Sequence, residues 1–139
     1  MKILWSRLKH FFDNLDGKMD ADRYFEVCDQ LNKEPIEEEI PPDFNDFPEI
    51  VQNAINGYGS LGDRVAADIG FLGKQYDKLP FLLEINGIET DYDKELFISI
   101  IEWLERRAIK SSADSMKRQR DKIKNKGKAI PGKTPKHRG

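Results

Sequence analysis

The sequence has very little of the chemistry on which many enzyme and metal sites depend. Its one cysteine, Cys28, excludes an internal disulfide framework and a cysteine-based zinc site. Its two histidines, His10 and His137, lie at opposite ends of the chain, which argues against a catalytic triad or a histidine-rich metal centre. No uncharged apolar run approaches the ~18–20 residues that a membrane-spanning helix needs. We therefore expect no enzyme activity, no cofactor, no metal site and no membrane span.

Apolar residues are also scarce for a chain of 139 residues, which has the length of about one domain. They make up 38% of the sequence and charged residues make up 35%, with a mean hydropathy of −0.68. Globular domains are typically ~45–50% apolar. The composition therefore predicts a small core, with part of the chain outside it.

The two signs of charge are separated along the chain, although the net charge is only −2. Up to Met116 there are 13 Lys and Arg against 24 Asp and Glu, whereas the remaining 23 residues hold 10 Lys and Arg and one acid, Asp121. A basic segment this dense is typical of a polyanion contact, and a purely solvating tail is the alternative. The predicted polyanion contact consists of Lys117, Arg118, Arg120, Lys122, Lys124 and Lys126. They surround a helix and have no aromatic residues among them, which indicates diffuse attraction and no base reading.

The first segment, 1–19, is predicted to be an amphipathic helix that ends at Gly17. Leu4, Leu8, Phe11 and Phe12 follow the spacing of one helical face. We expect this face to pack in a core or to dock on a partner protein. Binding flat on a membrane surface and a mobile terminal helix are the alternatives.

The body, residues 20–110, is predicted to be helical around an acidic, proline-rich linker at 32–45 that includes Glu37–Glu39 and Pro41–Pro42. Asp20 and Asp46 are expected to cap helices, as is Thr90 together with Asp93. The predicted helices are Ala21–Leu31, Phe47–Asn56, Leu61–Ile69, Lys78–Ile85 and a long helix Tyr92–Asn125. On the long helix, the predicted core stripe is Leu96, Phe97, Ile100, Ile101, Leu104 and Ala108.

The last segment, 111–139, is predicted to be a basic extension of the long helix followed by a disordered tail from Gly127. The fold class is therefore all-α: a small helical domain, about Asp20–Lys110, with an N-terminal amphipathic helix, a long C-terminal helix and a basic disordered tail.

Two patterns that suggest sites have simpler structural interpretations. Gly57–Gly62 matches the dinucleotide pattern GxGxxG, but that mechanism needs a preceding strand, and here a helix is predicted. We therefore expect a turn that ends the helix. Cys28 lies on an apolar helix face, far in sequence from any base, and is expected to be a buried small hydrophobe.

Several stretches resemble small, mostly helical proteins of tailed bacteriophages. They are Arg23–Leu31 with Glu34-Pro35, Ile40–Pro42, Leu61–Arg64, Phe71–Tyr76 and Leu79-Pro80. The resemblance implies a virion structural or assembly protein, most concretely a tail-assembly chaperone. Its partner would be a phage structural protein such as the tail tape measure protein, and the chain could form oligomers. The protein would act in the host cytoplasm during assembly or in the virion. The alternative is a nucleic-acid-binding packaging or regulatory protein similar to small terminase subunits.

Overall fold

The computed structural model describes the backbone of residues 2–138 apart from Lys18, and the side chains of residues 3–125 with the same exception. The fold is mostly helical, as predicted, but it also contains one two-stranded antiparallel sheet, so it is not purely α. The elements are α1 (Lys2–Asp16), α2 (Ala21–Gln30), α3 (Glu49–Ser60), β1 (Asp63–Ala66), β2 (Gly70–Lys74), α4 (Leu79–Ile85) and α5 (Asp91–Arg138).

The described chain divides into two compact units, Met1–Gln52 and Asn53–Gly139. The division falls inside α3, whereas the composition and charge of the sequence suggest boundaries near residues 20 and 110. Each unit has its own buried side chains and is described separately below.

In the first unit, α2 has the start that the sequence predicts. The Asp20 carboxylate accepts the Arg23 N–H at 2.7 Å, which satisfies one of the free N–H groups of the first helical turn. The helix ends where Asn32 adopts a left-handed conformation with φ +55°, and the Lys33 N–H donates back to the Cys28 carbonyl at 2.8 Å. Cys28 itself is buried, which confirms its prediction as a small hydrophobe.

The acidic linker is attached to α2 through one tyrosine. The Tyr24 hydroxyl accepts the Ile36 N–H at 3.1 Å and donates to a Glu39 carboxylate oxygen at 3.2 Å. Glu37–Glu39 forms a single 3₁₀ turn that lies between Ile36 and the prolines. The linker is therefore held to the unit by hydrogen bonds, although its acidic side chains are exposed.

The prediction that Asp46 caps the third helix was wrong. Asp46 closes a short 3₁₀ turn, Phe44–Asp46, in which its carboxylate accepts the Asp43 N–H at 2.8 Å. The third helix begins only at Glu49, after Pro48, and continues to Ser60. The side chains of a capping box can accept the free N–H groups of a short 3₁₀ turn as well as those of a long helix. The spacing alone therefore could not locate the start of the helix.

In the second unit, α5 supplies the largest share of the core. Phe97, Ile100, Ile101 and Leu104 are all buried, as the predicted stripe requires, and Leu96 and Ala108 are half-buried. The start of α5 is also as predicted, because the Thr90 hydroxyl oxygen accepts the Asp93 N–H at 3.1 Å. The predicted helix at Lys78–Ile85 is confirmed as α4, with Pro80 in its first turn.

The glycine pair at the start of the GxGxxG pattern is helical, so the predicted turn was wrong there. Gly57 and Gly59 both lie within α3. A Cβ atom on Gly57 would lie 3.4 Å from the Phe97 ring and 3.6 Å from Leu82. The absence of a side chain therefore lets α3 approach these two core residues closely.

The predicted helix Leu61–Ile69 was wrong as well, because this segment contains β1 and the turn that leads to β2. The strand pairs are Asp63 with Lys74, Arg64 with Gly73, Val65 with Phe71, and Ala66 with Gly70. Leu72 has no partner in this register and forms a β-bulge. On β2, Gly70 and Gly73 have φ angles of +95° and +125°, which other residues rarely adopt.

The backbone of α5 continues to Arg138, through the segment for which the sequence predicts disorder. The side chains from Lys126 onward, and Gly139 altogether, lie outside the described residues, so the disordered tail stays a prediction.

Candidate functional site

The basic segment of α5 is the most strongly charged stretch of the described chain. Five of the six predicted polyanion-binding residues, Lys117, Arg118, Arg120, Lys122 and Lys124, have exposed side chains, and the sixth, Lys126, lies outside the described side chains. Within residues 3–125, no ion pair is found for any of these five. Their charges are therefore available to an external polyanion.

The geometry of a helix distributes these cations over two sides. At 100° per residue, Lys117, Arg120 and Lys124 fall on one side, and Arg118 and Lys122 fall on another. Asp121 lies between the two sets. Such an arrangement attracts a polyanion from several directions and does not form one recognition face.

The predicted docking face on α1 is largely used inside the first unit. Leu8 is fully buried, and the Phe11 ring contacts the Phe47 ring edge-on at 5.6 Å and the Phe44 ring at 6.4 Å. Leu4 and Phe12 are half-buried. The helical period located this apolar face correctly, but a role in partner binding stays a prediction.

A groove beside α1 offers a different surface for a partner. We call it the α1 groove; its volume is about 360 Å³ and it is lined by Ile3, Ser6, Arg7, His10, Glu37, Glu38 and Ile40. Ile3, the most exposed large apolar residue of α1, is 76% exposed. The groove therefore combines apolar side chains with charges of both signs, since Arg7 comes from the helix and the two glutamates come from the acidic linker.

A polar cluster in the second unit was missed by sequence reasoning. The hydroxyl oxygens of Tyr58 and Tyr76 are both buried and have no hydrogen-bond partner within the described residues. Lys74 lies near them: its ammonium group is 5.0 Å from the centroid of the Tyr58 ring and donates to Asp63 at 2.6 Å and to the Leu61 carbonyl at 3.1 Å. No local motif signals this cluster, because its members come from α3, both strands and the following loop.

Burial and acidic neighbours raise the pKa of both tyrosines above the value of an exposed tyrosine. Burial raises the pKa of Tyr58 to about 12, with further contributions from the charges of Glu105 and Asp63. The pKa of Tyr76 is also raised, first by burial and then by Glu105, although the two side chains do not meet in hydrogen-bond geometry. Both hydroxyls therefore favour the protonated form more strongly than an exposed tyrosine does.

Glu105 also holds β2 to α5. Its carboxylate accepts the Lys74 backbone N–H at 2.5 Å, and the Ser112 hydroxyl oxygen accepts the Phe71 N–H at 3.1 Å. A Cβ atom on Gly73 would lie 2.7 Å from the Glu105 carboxylate, and one on Gly70 would lie 2.8 Å from the Ser112 oxygen. The two glycines therefore permit both contacts. Packing of the hairpin against α5 is a sufficient structural reason for the polar cluster.

Among the described residues, no group of three or more His, Cys, Asp or Glu side chains is arranged to hold a metal ion. In the same part of the chain, no helix has the length and apolar character needed to cross a membrane.

No protein-family model matches the chain, and no characterised protein or solved structure is significantly similar to it.

Proposed function

We propose that this chain is a non-enzymatic binding protein of tailed-bacteriophage assembly, most concretely a tail-assembly chaperone, that docks a structural protein of the virion on its first unit. The α1 groove is the observation that carries this proposal. The exposed Ile3 and the nearby Ile40 provide apolar contact, while Arg7 and Glu38 provide charges of both signs to orient a partner. Such a mixture is typical of protein interfaces, in which a few apolar anchors are surrounded by polar groups.

The proposed partner is a helical segment of a virion structural protein such as the tail tape measure protein. An amphipathic helix can place its apolar stripe in a groove and its charged residues against the rim. The protein then acts in the host cytoplasm during assembly or remains in the virion.

Point substitutions test this proposal better than deletion of α1, because the burial of Leu8 makes α1 part of the first unit's packing. Ile3→Asp places a charge in the α1 groove. Ile85→Asp on α4 is the matched control, since Ile85 is also exposed, at 59%, and lies in the other unit, outside the basic segment. The native chain and the two variants would each be co-expressed with a panel of phage tail structural proteins that includes tape measure proteins. The complexes would be analysed by size-exclusion chromatography in about 0.1 M and about 0.5 M NaCl.

We expect a complex that survives the higher salt concentration, because apolar contacts are not screened. We expect Ile3→Asp to weaken it at least about tenfold and Ile85→Asp to leave it unchanged. No complex with any tail protein, or equal effects of the two substitutions, would contradict the proposal.

A nucleic-acid-binding packaging or regulatory protein, similar to small terminase subunits, is the second candidate. The five exposed cations of α5 without an ion pair in the described part of the chain favour it. This candidate requires tight binding that depends on the nucleic acid's sequence or structure. Diffuse attraction through the basic segment alone gives weak and strongly salt-dependent binding.

A further inference from the structure

The outer part of α5 repeats a two-residue pattern at every seventh position. An apolar residue followed directly by a lysine occurs as Ile109-Lys110, Met116-Lys117 and Ile123-Lys124. Seven residues are close to two turns of an α-helix, so the three apolar side chains form one stripe and the three lysines form a row beside it. We call them the heptad stripe and the lysine row.

The heptad stripe does not continue the core face of α5. Ile109 lies about 140° around the helix from Leu104, the last buried residue of α5 in the described part of the chain. Ile123 is 70% exposed, Ile109 is 37% exposed and Met116 is half-buried. The stripe is therefore accessible to a partner at both of its ends and partly accessible at its centre.

The hairpin lies on one side of the heptad stripe and the lysine row lies on the other. On the hairpin side, Ser112 accepts the Phe71 N–H at 3.1 Å, and it lies about 60° around the helix from Ile109. The lysine row lies about 60–100° from Ile109 in the opposite direction. A partner that covers the stripe must therefore approach from the lysine side.

The narrowness of the stripe is typical of a helix that pairs with another helix. Exposed Ala113 falls between Ile109 and Met116, which gives the alternating spacing of four and three residues of a coiled-coil seam. A helix that lies on a membrane surface presents a broader apolar face. Residues 109–125 contain no aromatic residue on which a nucleic-acid base could stack. The pattern therefore favours a partner helix.

Charge favours an acidic partner helix over a second copy of this chain. Residues 109–125 contain six Lys and Arg against two acids, Asp114 and Asp121. Arg120 also occupies the seam position that follows Met116. Pairing two copies of this segment would bring an excess of cations against the same excess, which is unfavourable. An acidic helix instead places its carboxylates against the lysine row.

We propose that the heptad stripe is a docking site for an amphipathic helix of another protein, one with apolar residues at heptad spacing and acidic residues beside them. The apolar residues of the partner cover the stripe, and its carboxylates pair with the lysine row. This site belongs to the second unit, whereas the α1 groove belongs to the first. The proposal therefore does not depend on the function proposed for the α1 groove.

Calorimetric titration of the full chain with a designed helical peptide tests this proposal, in about 0.15 M NaCl. The peptide has about four heptads, with leucine in its seam and glutamate on both flanks. We expect saturable binding with a dissociation constant of about 1–100 µM. A matched peptide with glutamine in place of leucine keeps every charge and a similar helix propensity. It should bind at least about tenfold more weakly, because it cannot cover the stripe.

Two charge-reversed variants of the chain separate the lysine row from diffuse attraction. Lys117→Glu with Lys124→Glu reverses two members of the row. Arg118→Glu with Lys122→Glu makes the same change in net charge on the side of α5 opposite the stripe. We expect the first pair to weaken binding of the leucine peptide at least about tenfold more than the second pair does.

No binding of the leucine peptide at about 1 mM would overturn the proposal. Equal losses in the two charge-reversed variants, or equal affinity for the two peptides, would also overturn it, because diffuse attraction alone would then account for the binding. Two further measurements use Ile123→Asn. Flotation with phosphatidylcholine–phosphatidylserine vesicles that displaces the peptide and is lost in this variant would assign the stripe to a membrane surface. Self-association in analytical ultracentrifugation that is lost in the same variant would assign it to a second copy.

Discussion

Two glycines of β2 permit the closest approaches between backbone and side chain in the hairpin. Gly73 combines a φ of +125° with a position where a Cβ atom would lie 2.7 Å from the Glu105 carboxylate. Gly73→Ala should therefore lower the free energy of unfolding by about 2 kcal/mol, through backbone strain and displacement of Glu105. Gly59→Ala is the matched control: nothing lies within 4 Å, and the residue is helical, so stability should rise by about 0.5–1 kcal/mol. Urea unfolding measures both changes, and a Gly73→Ala variant as stable as the native chain would show that the hairpin does not need this approach.

The Tyr58 hydroxyl is a buried polar group without a hydrogen-bond partner in the described residues. Tyr58→Phe removes it while keeping the ring, so the free energy of unfolding at pH 7 should rise by about 1 kcal/mol. A loss of stability at pH 7 would show instead that this hydroxyl has a partner, such as a bound water molecule.

The same tyrosine predicts a pH dependence. Its pKa is about 12 in the folded chain, against 10.0 for the unperturbed tyrosine of an unfolded chain, so the folded state keeps the proton that the unfolded state loses between these values. Stability should therefore fall as the pH rises above about 10, and it should fall less steeply in Tyr58→Phe. Urea unfolding at several pH values between about 9 and about 11 gives both slopes, and equal slopes would contradict the raised pKa.

At the scale of elements, α5 organises the second unit. It buries Phe97, Ile100, Ile101 and Leu104, and it also accepts backbone hydrogen bonds from β2 through Glu105 and Ser112. Leu104 is almost fully buried, so Leu104→Ala should lower the free energy of unfolding by about 2–5 kcal/mol. Leu72→Ala, at an exposed position, should cost less than about 1 kcal/mol. Similar losses for the two variants in urea unfolding would contradict this division between core and surface.

The elements that sequence reasoning predicted correctly carry their signals locally. The helical period and the caps at Asp20 and Thr90 lie within a few residues of the structure they specify. The hairpin has no such local signal, because its backbone hydrogen bonds to Glu105 and Ser112 span 31 and 41 residues of sequence. The apolar spacing of Leu61, Val65 and Ile69 also fits a helix, so only the pair Gly70 and Gly73 pointed to another structure.

The candidate surfaces also differ in whether the sequence reveals them. The basic segment of α5 is visible in the sequence as charge, and its exposure follows from the loss of the apolar stripe after Ile109. The α1 groove and the tyrosine cluster arise from residues that are distant in sequence, such as Arg7 and Glu37, or Tyr58 and Glu105. No spacing rule could bring these residues together in advance.

At the scale of the whole molecule, the separation of charge predicts how the chain should respond to a polyanion. The chain is acidic up to Met116 and strongly basic after it. The acidic part repels nucleic acid and opposes the attraction of the basic segment. Nucleic-acid binding should therefore be weak.

The most direct test is a fluorescence titration of labelled duplex DNA with the full chain and with a chain that ends at Met116, in about 0.1 M and about 0.3 M NaCl. For the full chain we predict a dissociation constant weaker than about 1 µM near physiological salt, and binding that is lost at the higher salt concentration and on truncation. This result is expected of an assembly protein with a diffuse polyanion contact. Tight binding that resists salt, depends on the DNA sequence and needs both the acidic part and the basic segment would contradict our account.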